Sequence, residues 1–167
     1  MKNRGMTLFI AVTVMGILLF ISFAVVNIAL KSTIFASSGR DSQFAFYAAD
    51  AGLECAIYWD SRFDPSKFAT STSGVSVTCA GTTITDGQLN ISGTTTSARI
   101  GGGGDTNPTS IFSFIMNQTG KVEDRVPYCA VVTVTKNANG TTHIYSRGYN
   151  TCLDSSRRIE RGIEVDY

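Results

Sequence analysis

Residues 6–30 read MTLFIAVTVMGILLFISFAVVNIAL, 25 positions without a single Asp, Glu, Lys or Arg. Wound as an α-helix, such a run is about 37 Å long, more than the ~30 Å hydrocarbon core of a bilayer. Its polar interruptions are Thr7, Thr13, Ser22 and Asn27. Lys2 and Arg4 precede it and Lys31 closes it. By the positive-inside rule Lys2 and Arg4 stay on the cytoplasmic side, so the expected orientation puts everything after Lys31 outside. A cleaved secretory signal has an apolar region of roughly 7–15 residues followed by a small-residue site. This run is longer and leads into more helix, which argues against reading Ala36-Ser37-Ser38 as such a site.

The helical pattern continues past Lys31, since no proline occurs before Pro65. At about 100° per residue, one apolar stripe holds Phe46, Ala49, Leu53, Ala56 and Ile57. An opposite stripe holds Phe44, Tyr47, Ala48, Ala51, Cys55 and Tyr58, with Gln43, Asp50 and Glu54 as a narrow polar edge. A helix on a lone globular domain needs one apolar face. Two opposed faces predict two partners, the chain's own sheet and neighbouring molecules; the alternative is burial in a larger core.

Beyond the helix, Trp59 to Lys67 reads as its end and a turn, with Asp64-Pro65 as the break. Strand signals follow. Val75, Val77 and Cys79 alternate with Ser76 and Thr78, and Thr82 to Ile91 is a second candidate bent at Asp86-Gly87. Ile111 to Met116 fits either a strand or a short helix. Tyr128 to Lys136 and Thr141 to Asn150 flank Asn139-Gly140, a strong hairpin signal. Read as a two-residue turn, it sets Val134 opposite Tyr145, Val132 opposite Arg147 and Cys129 opposite Asn150. In the last candidate strand, Arg158 to Tyr167, the apolar residues Ile159, Ile163, Val165 and Tyr167 alternate with Arg158, Glu160, Glu164 and Asp166. The expected fold class is therefore α+β: a long N-terminal helix packed on an antiparallel sheet. Its segments are 1–5 as a leader, 6–30 as the membrane-spanning part, 31–62 as the soluble half of the helix and 63–167 as the β domain.

The four cysteines, Cys55, Cys79, Cys129 and Cys152, form no CxxC, and the one histidine, His143, stands alone. This pattern does not point to zinc or to any cofactor. An even cysteine count beyond a membrane segment points to disulfides in an oxidising compartment. Four cysteines allow three pairings; the alternative is four reduced core thiols. The hairpin reading makes Cys129 and Cys152 diagonal neighbours, leaving Cys55 with Cys79 as the complement.

Net charge is +1, and no basic stripe marks a nucleic-acid partner. Gly101 to Gly104 lacks the strand-then-helix context of a phosphate loop. A Ser-His-Asp site needs a carboxylate orienting its histidine, whereas His143 reads as an exposed strand residue beside a turn. Asp154, Glu160, Glu164 and Asp166 read as surface carboxylates with arginines nearby. No catalytic residues are expected.

The opening Lys2-Asn3-Arg4-Gly5, followed by Met6-Thr7-Leu8 and the apolar helix, resembles the type III (prepilin) signal of type IV pilin-like proteins. The resemblance covers residues 1–60 and extends to the rest only in style. It implies cleavage between Gly5 and Met6 by a prepilin peptidase, then methylation of the new N-terminus. The implied partners are membrane lipid before assembly, an inner-membrane assembly platform and other pilin subunits, with the β domain outside the cytoplasmic membrane and finally in an extracellular filament. The family usually begins its mature chain with Phe; here Met6 stands there. Most major pilins place a glutamate fifth, which neutralises the amine of an adjacent subunit; here Ile10 stands there. A charge in hydrocarbon costs several kcal/mol unless paired, so this departure resembles the priming or tip subunits: PilX-type minor pilins and the K-type pseudopilins of type II secretion. Residues 46–54, FYAADAGLE, also resemble the PilX-type N-terminal region. Phe46, Leu53 and Ile57 are then the expected assembly contacts. A plain single-pass protein with a binding ectodomain is the reading from a different class.

Overall fold

A computed structural model of the chain describes residues 4–88, 97–102, 104–116 and 127–167, with side chains from residue 6 on. The chain forms two compact units, Met1–Arg40 and Asp41–Tyr167. One helix, α1 (Arg4–Ser61), supplies residues to both. The segments expected as 6–30 and 31–62 thus belong to one helix, and the division between units falls ten residues beyond Leu30.

In the first unit the side chains of residues 6–30 are exposed, apart from partly covered Gly16. Two of the polar groups within the run bond back to their own helix. Thr13 Oγ1 donates to the Phe9 and Ile10 carbonyls at 3.1 and 2.9 Å, and Ser22 Oγ donates to the Leu18 carbonyl at 2.8 Å. Thr33 and Ser37 make the same back-bonds to Leu30 and Ile34. Such bonds satisfy hydroxyls within their own helix, the condition a helix must meet where no water can reach it.

The second unit packs the end of α1 on antiparallel sheets, which is the α+β architecture expected. β1 (Ser76–Cys79) and β2 (Thr82–Thr85) form a two-stranded sheet. β3 (Thr109–Met116), β4 (Tyr128–Lys136), β5 (Thr142–Tyr149) and β6 (Glu160–Asp166) form a four-stranded antiparallel sheet in chain order. Residues 111–116 are therefore strand, where the sequence left helix open. Of the second β candidate, residues 89–91 lie outside the described residues, as do residues 1–3 of the leader and Gly103 of the glycine run.

The hairpin strands fall where the sequence put them, but the register is shifted by one. Val134 pairs with Ile144, Val132 with Ser146 and Cys129 with Tyr149. The turn has three residues, not two: Asn137 N bonds the Thr141 carbonyl, Gly140 N bonds the Asn137 carbonyl, and Gly140 takes φ 89°. Glycine meets no Cβ penalty there, and a turn followed by a left-handed residue is the common three-residue hairpin loop.

The buried stripe of α1 in this unit is Ala45, Ala48, Ala49, Gly52, Leu53, Ala56 and Asp60. These positions follow the 3–4–3–4 spacing of one helical face, and this face cuts between the two stripes read from sequence. Small residues decide it. A methyl at Gly52 would lie 2.3 Å from Ser146 Oγ and 2.9 Å from Val132 Cγ2, so the helix approaches β4 and β5 at backbone distance. Below the helix, Phe112, Phe114, Val132, Val134 and Ile144 fill the core, and Phe68 stacks on Phe112 at 5.8 Å between ring centres. Val77 and Ile84 extend the core to the small sheet, and Ile163 and Val165 of β6 pack at its margin.

Candidate functional site

The face of α1 turned away from the sheet carries two exposed apolar pairs, Phe46 (50% exposed) with Tyr47 and Ile57 with Tyr58, with Asp50 and Glu54 on the turns between them. It draws Phe46 and Ile57 from one predicted stripe and Tyr47 and Tyr58 from the other. Leu53, expected to face neighbours, is instead buried in the core. The physical reason is that the helix buries the face that fits closely, namely alanine and glycine, and leaves its bulky side chains outside. Ser42, Gln43, Phe46, Tyr47 and Arg161 line a shallow cleft at the first pair, where Arg161 Nε donates to Ser42 Oγ at 2.8 Å. Met6 and Ile10 are exposed on the first turns of the apolar run, and Gly5 belongs to the same helix.

Two devices fix the end of α1 to the β domain. Cys55 is disulfide-bonded to Cys79 at the end of β1, with the Cα atoms 5.8 Å apart. This is one of the pairings the sequence allowed. Beside it, Trp59 Nε1 donates to the Thr78 carbonyl at 3.1 Å. The second device centres on Asp60. Its carboxylate accepts from Ser66 Oγ at 2.5 Å, Lys136 Nζ at 2.6 Å and Tyr167 Oη at 2.8 Å. Burial pushes the Asp60 carboxyl up, but these three donors and the Lys136 charge outweigh it and hold the group below its ordinary value. Tyr167 is held above its ordinary value by burial and by its bond to Asp60. The last residue of the sequence is thereby tied to the last turn of the helix.

Cys129 and Cys152 are not bridged; both are buried thiols. They share a cluster with Val131 and Tyr149 on the sheet face opposite the helix. Cys152 N donates to the Pro127 carbonyl at 3.1 Å, which curls the chain back beside Cys129. The corrected register sets Cys129 against Tyr149, so the contact is made by this return of the chain and not by a strand diagonal. Hydrogen bonding to Cys152, then burial, raises the Cys129 thiol. The same bond lowers Cys152, with Arg158 assisting against burial.

The structure also brings together what the sequence kept apart. His143 pairs directly with Asp166 across β5 and β6, with Nδ1 2.7 Å from Asp166 Oδ1. Its Nε2 lies 3.7 Å from Glu164 Oε1. These two carboxylates were read as partners of nearby arginines; their partner is the histidine. Asp154 does have an arginine, Arg158, at 4.0 Å.

No family model matches the chain, and no curated protein and no solved structure matches it.

Proposed function

We propose that the chain is a structural minor subunit of a type IV pilus or a related filament. The observation that carries this reading is α1 itself: a helix with a charge-free, exposed run long enough to cross a membrane, continuing into two exposed apolar pairs. Before assembly the apolar run lies in the cytoplasmic membrane with the β domain outside. After a prepilin peptidase removes residues 1–5, an assembly platform transfers the helix from lipid to a bundle of subunit helices. Both environments reward the same side chains, because each removes apolar surface from water.

Ile10 leaves this subunit without a carboxylate to pair with a neighbour's terminal amine, so the reading places it at the priming or tip end. The β domain, held by the Asp60 cluster and the Cys55–Cys79 bond, then faces outward. The exposed pairs Phe46 with Tyr47 and Ile57 with Tyr58 favour contact with neighbouring subunits over a plain membrane anchor, which has no use for bulky apolar groups beyond the bilayer.

The test is a photo-crosslinking amino acid placed at Tyr47 in the native host. The reading predicts covalent products with other pilin-like subunits, abolished when processing at Gly5 is blocked. Products independent of processing, or none, would overturn it in favour of an anchored ectodomain.

A further inference from the structure

His143, Glu164 and Asp166 each place a metal-ligating atom within 4.8 Å of the others. They lie on the face of the sheet turned away from α1, at its open edge, because β6 ends the strand order. Pairing fixes their proximity: His143 is opposite Asp166, and Glu164 is opposite Tyr145, one step along the same face. Both carboxylates make their ion pairs to one imidazole. Two carboxylates two positions apart on one strand face thus stand beside one imidazole.

No other cation on this face is spent on them among the described residues. Arg147 lies with its guanidinium 5.9 Å from the Tyr145 ring centre, and Thr135, which faces His143 from β4, is neutral. The imidazole is half-buried, with 33% of its side chain exposed, and is held by its bond to Asp166. Glu164 and Asp166 are exposed, with 59% and 70% of their side chains accessible.

We propose that this group holds a divalent transition-metal cation, with one imidazole nitrogen and one oxygen from each carboxylate as ligands. The mixed nitrogen and oxygen donors suit zinc, nickel or copper, whereas calcium and magnesium prefer all-oxygen sites. Metal bonds of about 2.0–2.2 Å put donors at most about 4.3 Å apart; Asp166 lies on Nδ1 and Glu164 on Nε2, so completing the set requires the carboxylate on the unmetallated nitrogen to swing across to the other. The remaining positions are open to water or to a donor from another molecule.

The experiment is calorimetric titration of Zn²⁺ into the tag-free full chain in detergent at pH 7.5, with the thiols Cys129 and Cys152 replaced by serine. The expected result is saturable binding of one equivalent. His143→Ala, Glu164→Gln and Asp166→Asn should each weaken it at least tenfold, about the scale that loss of even an outer partner produces. Asp154→Asn should leave it unchanged, as should excess Ca²⁺. Circular dichroism melts establish that each variant is folded. Absence of saturable binding, or binding unchanged in folded His143→Ala, would overturn the proposal.

Discussion

Gly148 of β5 rests on the backbone of α1 at Ala45: a methyl group on Gly148 would lie 2.0 Å from the Ala45 carbonyl oxygen and 2.3 Å from the amide nitrogen of Ala49. Backbone cannot yield as a flexible side chain can, so the helix must lift from the sheet. Gly148→Ala should destabilise the β domain by about 3 kcal/mol, the upper range for overpacking. Gly39→Ala, with open space around the added methyl, should cause no loss. Urea unfolding of both variants, followed by tryptophan fluorescence at Trp59, reads the difference.

The Cys55–Cys79 bond closes a span of 24 residues. On the chain-entropy account, a loop of that size is worth about 3 kcal/mol. Replacing both cysteines with serine should lower the urea midpoint by the corresponding amount and steepen the slope somewhat, since the uncrosslinked unfolded chain exposes more surface.

Acid should act through Asp60. Its carboxyl is lower in the folded state than in the unfolded one, so the unfolded chain binds more protons as pH falls. The stabilisation is complete above the ordinary carboxylate value of about 3.9 and is lost as pH drops from there through the lower folded value. Asp60→Asn should therefore be less stable at pH 7 and show a flatter loss of stability below about pH 5. Tyr167 runs the other way. Its folded value is raised, so its contribution is complete below the ordinary tyrosine value of about 10 and falls as pH rises beyond it. Tyr167→Phe should flatten that alkaline decline. Thermal melts across pH check both signs.

The two buried thiols should respond to a disulfide-donating oxidant. Cys152, the sulfur lowered by its Cys129 bond and by Arg158, attacks as thiolate and forms a mixed disulfide. Cys129 then displaces the donor's thiol, and the protein loses two hydrogens. Peptide mapping without reductant should find the Cys129–Cys152 link after oxidation and none before. Cys152→Ser should leave Cys129, which is fully buried, slow to react with alkylating agents.

The strands were legible because alternation and turn residues act locally. Val77 and Cys79 face inward, and Tyr128–Lys136 is bounded as its pattern predicts. The register was not, because Asn139-Gly140 fits two loops. The three-residue one is favoured here by Asn139 Oδ1, which accepts from Thr141 N at 3.0 Å, and by Asn107 Oδ1, which accepts from Ala138 N at 2.7 Å. The second contact comes from 31 residues away, beyond any local pattern. The helix face was misassigned for a different reason. Phe46 and Tyr47 carry more apolar area than Ala48 or Gly52, but close approach to β5 depends on small size. His143 looked isolated because its carboxylate partner Asp166 is 23 residues distant and meets it only through the β5–β6 pairing.

The subunit reading rests most directly on the mature N-terminus. Intact-mass and N-terminal peptide spectrometry of the chain from its native host measures it. The account predicts a chain that begins at Met6 with a methylated amine and lacks MKNRG. A chain that retains Met1, or one that begins beyond residue 30, would contradict it.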